Sequence, residues 1–208
     1  QGVDSITQPQ REHLRTLVLS RSNRGASSEP TRAYAAQTLG RIGTVKDVGV
    51  LQTVLATRAY SRPVKHSAAI GVGTLARLLS SKERAAVVNN LLGRMRRVRD
   101  ISTRNFLTIS IAYHLQADHD AHSTQVLSDT KAGAWLLDEA DSGKQSNRPY
   151  AALALGLVAR AVTEESNTEA WGTLRDDAVR TLRNGLDAKN LPRSARGAFA
   201  TALGIAKD

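Results

Sequence analysis

The chain has 208 residues, 41% of them apolar but only 4% aromatic, and no cysteine. That length supports one ordinary domain with its own core, and the lack of cysteine excludes a disulfide framework, a thiolate nucleophile and any cysteine-based metal site. The net charge of +10 is uneven: residues 1–104 hold 18 Lys and Arg against 6 Asp and Glu, whereas residues 105–208 hold 11 against 13. A basic half suits an acidic partner, either nucleic acid or an acidic protein surface, although arginines spread over solvated helix faces give the same count.

In chain order, residues 1–8 read as a disordered arm, and Pro9 opens a helix carrying Leu14, Leu17 and Val18 on one face. Ser20 to Pro30 is a turn cluster. A second helix follows to Ile42 with Ala35, Ala36 and Leu39 as its apolar positions. Asp47 sits where a negative charge favours a helix N-terminus, ahead of a stripe of Val48, Leu51, Val54 and Leu55. Pro63 opens the next helix. Ser80-Ser81-Lys82-Glu83 forms a cap for a helix with Val87, Val88, Leu91 and Leu92. Ile101 to Leu115 is a long apolar helix, and the polar run from Ala117 to Ser123 reads as a loop. Helical patterns then carry Leu127 to Leu137, with a break near Gly133, and Asn147 to Val162. Thr163 to Thr168 is a loop. Trp171 to Leu182 is helical, with Gly185 as its stop, and Pro192 opens the last helix. No stretch shows strand alternation bounded by hairpin turns. The sum is ten helices in five antiparallel pairs.

One unit recurs. With a basic residue at position 0 (Arg32, Lys65, Arg104, Arg148 and Arg196), position +3 is Ala35, Ala68, Leu107, Ala151 and Phe199. Position +7 is Leu39, Val72, Ile111, Leu155 and Leu203, and position +8 is Gly40, Gly73, Ala112, Gly156 and Gly204. The zeros are spaced 33, 39, 44 and 48 residues apart, the range of helical-repeat arrays. Positions +3 and +7 share a helix face. Glycine inside a helix costs about 1 kcal/mol, so its recurrence at +8 calls for close helix crossing.

These residues resemble HEAT repeats, in particular the short HEAT-like class related to bilin lyases (the PBS-lyase-like class). Pro30-Thr31-Arg32 with Ala35-Ala36, Leu39 and Gly40 fits that family's second-helix pattern, and so does Pro63-Val64-Lys65 with Ala68-Ala69. Arg104 lacks the proline, the Ala-Ala pair and the glycine, and Arg196 stands beside Gly197, so copies three and five depart. The resemblance implies an all-α fold, a right-handed α-solenoid of about five helix pairs (an α-α superhelix). The repeats would span about 9–43, 46–80, 82–116, 122–162 and 168–206, in a single domain over 9–208 that reads as a fragment of a longer protein. It also implies surfaces that bind proteins, and a position-0 base that pairs internally with acids or carbonyls.

Few residues could carry chemistry. Arg94, Arg96, Arg97 and Arg99, with Arg104 beyond them, are the sharpest basic cluster; Arg62 and Arg77 are further candidates for a binding surface. A helix C-terminus attracts cations on its own, and phosphate contact is the functional alternative. His114, Asp118, His119 and His122 form the one group with metal-ligating side chains, but their spacing matches no metal template, and no metal or other cofactor is expected. Glu164-Glu165 and Asp176-Asp177 are acidic pairs. Adjacent helical residues diverge by about 100°, so Asp176 and Asp177 do not converge for acid–base work. Trp135 and Trp171 fall on apolar stripes. No phosphate loop, dinucleotide fingerprint or nucleophile elbow is present.

The expected function is therefore a non-catalytic scaffold for protein–protein interaction, its partner another protein or another region of the parent chain. Nucleic-acid binding by the basic N-terminal half is the alternative, and an enzyme on the same scaffold is a third reading. No apolar run is long enough for a membrane span. The cysteine-free composition fits the cytoplasm, and an exported form that has lost a leader fits as well.

Overall fold

The computed structural model describes residues 6–20, 28–162, 168–189 and 191–207. The expected arm at 1–8, the turn cluster at 20–30 and the loop at 163–168, with its acidic pair, lie wholly or largely outside them. Every regular element among the described residues is a helix. No described helix is long and apolar enough to cross a membrane. The helices gather into two compact units, one ending at Leu79 and the other beginning at Ser80.

The first unit holds α1 (Gln8–Leu19), α2 (Glu29–Ile42), α3 (Val45–Ala56) and α4 (Arg62–Thr74), the last extended by a 3-10 turn at Leu75–Leu78. Local sequence sets the starts. The Ser28 hydroxyl accepts from the Thr31 amide at 3.3 Å, and Pro30 lies in the first turn of α2. Thr44 and Asp47 form a capping box at α3. The main packing is α2 on α4, with α1 against α2 and α3 against α4. Leu39, Leu51, Val64 and Val72 are fully buried there, each such side chain contributing about 1.5–3 kcal/mol on removal from water.

The second unit holds α5 (Ser81–Met95), α6 (Ile101–Asp120), α7 (Gln125–Asp129), α8 (Ala132–Asp141), α9 (Arg148–Ala161), α10 (Glu169–Asp187) and α11 (Arg193–Lys207). Here α9 packs against both α6 and α11, while α5 lies on α6, α8 on α9 and α10 on α11. The Ser80–Glu83 cap forms as the sequence predicts.

Three expectations are corrected. First, α6 runs on to Asp120 where a loop was expected from Ala117, because the polar residues of that stretch have buried partners: Asp118 and His119 are both buried. Second, the eleventh helix arises from a break at Thr130–Lys131, upstream of Gly133. The Thr130 hydroxyl donates to the Val126 carbonyl at 2.6 Å and accepts from the Ala132 amide at 3.1 Å, ending α7 and starting α8. Third, Gly185 does not stop α10; it lies inside the helix, and the ring of Phe199 occupies the space its Cβ would need.

Two of the repeat glycines make the same kind of close approach. Gly40, at position +8, meets the Cα of Gly71 on α4, and Gly156, also at +8, lies where a Cβ would be 2.6 Å from the Ala202 carbonyl oxygen on α11. Gly71 and Ala202 both stand at position +6 of the following copy. The residue that receives a repeat glycine is thus a small one two places before the next glycine. Copy five differs: Ala200 and Gly204 are exposed, and a Cβ on Gly204 would meet nothing within 4 Å.

Candidate functional site

The His/Asp cluster is brought close in sequence but not into a metal site. His114 is fully buried, with Nδ1 on the Ser110 carbonyl at 2.8 Å. Its pKa is lowered to about 4, chiefly by burial, with the Ser110 bond opposing and the nearby Arg84 charge adding to the fall, so the ring is neutral at pH 7. Asp118 accepts from Arg84 at 3.1 Å and from the Val126 amide at 2.9 Å. His119 stands edge-on to Trp171, ring centroids 5.4 Å apart. His122 is exposed, at φ 51°. Its amide donates to the His119 carbonyl at 2.7 Å, and that of Ser123 to the Asp118 carbonyl at 3.0 Å. Those two bonds are the Schellman termination of α6. Asp118, His119 and His122 are accounted for by folding, while His114 keeps one buried ring nitrogen, Nε2, with no hydrogen-bond partner among the described residues; no group of three His, Asp or Glu among the described residues is placed to hold a metal.

The repeat bases act inside the fold where their contacts are described. Arg32 donates to the Ser20 carbonyl at 2.9 Å. Arg148 donates from Nε to the Ala140 carbonyl at 2.8 Å and lays its guanidinium over the Phe199 ring at 5.9 Å. Arg104 stands 3.7 Å from Glu139. Lys65 and Arg196 are half-buried. Among the surface candidates, Arg77 donates to the Arg41 carbonyl at 3.0 Å, satisfying an open carbonyl at the end of α2. Arg62 is exposed at the first turn of α4. Trp171 is core, its indole N–H donating to the Ser123 carbonyl at 2.8 Å, whereas Trp135 is half-buried. Asp176 is exposed, and Asp177 pairs with Arg180.

What remains is the turn between α5 and α6. Met95 is buried and anchors the end of α5, and the Arg97 and Val98 amides both donate to the Arg94 carbonyl, at 2.8 and 3.0 Å. Asp100 caps α6 by accepting from the Thr103 amide at 2.8 Å. Between these fixed points Arg96, Arg97 and Arg99 are all exposed. With Val98, Ile101, Arg104, Lys144 and Asn147 they line one open concavity of about 550 Å³. The side chains of Arg96, Arg97, Arg99 and Lys144 make no hydrogen bond or ion pair with any described residue. Helix α6 begins at Ile101 on the wall of this cleft, adding roughly half a positive charge from its macrodipole. Arg94, whose Nε is held by Asn90 at 2.8 Å, has its pKa lowered by burial and then by the charge of Arg97. The cations crowd one another. Glu139 stands behind the cleft wall, held between Arg104 and the Asn147 side-chain amide, which donates to it at 2.7 Å.

Lys144 and Asn147 were not visible as site residues in the sequence, although the repeat frame held the signal. They stand four and one places before Arg148, and α9 packs beside α6. The loop that leads into α9 therefore lies beside the turn that leads into α6. The half-buried Arg15 and the buried Arg84, each paired with a buried aspartate, left no comparable mark. Arg15 donates to Asp47 at 2.6 Å in the first unit, and nothing in the pattern links residues 32 apart.

No protein-family model matches this chain, and neither a curated protein nor a solved structure does.

Proposed function

We propose that this chain is a non-catalytic scaffold of HEAT-like repeats, its second helices stacked within each unit as in a right-handed α-solenoid, and that it binds an acidic segment of a protein partner. The repeat reading is supported by two +8 glycines, Gly40 and Gly156, each seated on a small +6 residue of the following copy. The binding reading rests on one observation. Arg96, Arg97, Arg99 and Lys144 line a single concavity without an acid to pair with. Surface cations gathered in one concavity without neighbouring acids repel one another and raise the energy of the empty surface, and an anion lowers it. The side chains best suited to chemistry, His114 and Asp118, are buried and engaged in folding, which favours binding over catalysis.

An acidic protein segment suits the cleft better than nucleic acid does. No aromatic side chain lines it to stack on a base, and the other arginines named from the sequence, Arg62 and Arg77, lie in the first unit, with Arg77 occupied at the end of α2. The test is fluorescence anisotropy with a labelled peptide of alternating glutamate and glycine, set against single-stranded DNA of equal charge. The peptide is expected to bind, more weakly as salt rises, and to lose affinity for the Arg97→Glu, Arg99→Glu double variant. No binding at low salt, or equal binding to that variant, overturns the reading. Tighter binding of the DNA turns it to nucleic acid.

A further inference from the structure

We propose that the ligand group this cleft is built for is a phosphate monoester on a protein segment, rather than a run of carboxylates; the inference rests on the cleft being the binding surface.

The first argument is charge density. Three guanidiniums emerge from the short turn Arg96–Arg99, and Lys144 faces the same concavity from the loop before α9. A phosphomonoester carries a charge of about −1.5 to −2 at pH 7 and three acceptor oxygens at one point, so a single group can engage several forks together. A carboxylate offers two oxygens and one charge, and relieving the same crowd takes several of them held apart. Arginine is also the side chain whose planar fork matches phosphate.

The second argument is geometry. The turn is fixed at both ends, by the Met95 anchor and the Arg94 carbonyl on one side and by the Asp100 cap on the other. The backbone that presents the arginines is therefore ordered before a ligand arrives, which reduces the entropy lost on binding. The side chains do not reach back to the open carbonyls that end α5, the contact that would have given them a purely structural role.

The third argument separates a protein segment from free phosphate. The concavity, at about 550 Å³, is far larger than one phosphate group. Beside the cations it offers an apolar ledge, Val98 and Ile101, the latter 50% exposed. An apolar side chain flanking a phosphorylated residue has a surface to cover there, and inorganic phosphate has no use for one.

The experiment uses the full chain and four labelled probes: a serine peptide with apolar flanking residues, the same peptide phosphorylated, its glutamate counterpart, and a duplex DNA. The phosphopeptide is expected to bind at least about tenfold more tightly than the glutamate peptide, the ratio that one additional charge-assisted hydrogen bond supplies. The Arg97→Glu, Arg99→Glu variant should lose that binding by more than tenfold while Arg183→Glu, an exposed charge change on α10, leaves it unchanged, with circular dichroism showing both folded. Ile101→Ser should weaken the phosphopeptide but not the displacement of the glutamate peptide by inorganic phosphate. Equal affinity for phosphopeptide and glutamate peptide overturns the phosphate assignment and leaves acidic-segment binding standing. Duplex DNA binding more tightly than the phosphopeptide overturns it in favour of nucleic acid. Binding of none of the four overturns this inference and the proposed function together.

Discussion

Arg84 and Asp118, 34 residues apart, meet at 3.1 Å with both side chains buried. The second Asp118 oxygen takes the Val126 amide at 2.9 Å, so one carboxylate joins α5, the end of α6 and the start of α7. Taking a carboxylate away from a buried guanidinium costs far more than an exposed pair is worth. Asp118→Ala is expected to lower unfolding free energy by about 3–5 kcal/mol, read from urea melts. Asp120→Ala, two residues on and exposed, should change it by less than about 0.5 kcal/mol.

His122 occupies the left-handed position of the Schellman turn that follows α6, at φ 51°. Glycine pays no Cβ penalty there, whereas a side chain costs roughly 1–2 kcal/mol. The His122→Gly variant should therefore melt at higher temperature, with a gain of about 1 kcal/mol once glycine's greater unfolded-state entropy is subtracted. Were His122 a metal ligand, the same change would abolish a zinc-dependent rise in Tm; no such rise is expected in the unmodified chain.

The repeat glycines separate into two kinds. A Cβ on Gly40 would collide with the Gly71 backbone and come within 2.7 Å of Thr74 Oγ1, atoms fixed by helix packing. Gly40→Ala is expected to destabilise by about 1–3 kcal/mol through overpacking. Gly204→Ala meets open space and should stabilise by about 1 kcal/mol through helix propensity. Opposite signs at one repeat position, read by thermal melts, test whether close crossing is what retains glycine at +8. A loss of stability at both sites would sink that explanation.

The register of the helices was legible because burial obeys the repeat: Ala35, Ala68, Leu107, Ala151 and Phe199, all at +3, are buried. The caps at Ser80 and Asp47 were legible because capping is local chemistry. The end of α6 was not. Composition makes Ala117 to Ser123 look like a solvated loop, and only the tertiary partners of Asp118 and His119 reverse that. The cleft was half legible. Its arginines are adjacent in sequence, but Lys144 and Asn147 reach it through the packing of α9 on α6. The sequence pattern also points to Gly73, whereas the residue that receives Gly40 is Gly71.

His114 makes stability depend on pH. Its folded pKa, about 4, lies below the ordinary histidine value of 6.5, with burial as the main cause. The folded state therefore binds fewer protons than the unfolded chain between those two values. Stability is intact above pH 6.5, falls as pH drops towards 4, and the loss levels off below it. The full loss is on the order of 3 kcal/mol at 1.36 kcal/mol per unit. His114→Leu should flatten the dependence in that window. The fall that remains at lower pH belongs in part to Asp47: burial alone would raise its pKa, but the bonds from Arg15 and from the Thr44 amide and hydroxyl outweigh it and hold the carboxyl below its usual range. Its contribution is present above the unfolded carboxylate pKa and is lost as pH falls through the lower folded value.

The two kinds of arginine should respond oppositely to deletion. Arg148 is buried against the Ala140 carbonyl and the Phe199 ring, so Arg148→Ala removes a charge-assisted hydrogen bond and the packing of its stem. About 2 kcal/mol of stability should go with them. Arg97 is exposed, makes no side-chain bond, and repels Arg94. Arg97→Ala should leave stability within about 0.5 kcal/mol of the unmodified chain, on the favourable side if at all. In the binding assay the order reverses, with Arg97→Ala weakening phosphopeptide affinity and Arg148→Ala sparing it well below its melting temperature. A charge kept where it does nothing for folding is the mark of a binding residue. Loss of stability at Arg97 equal to that at Arg148 would return the whole cluster to a structural role.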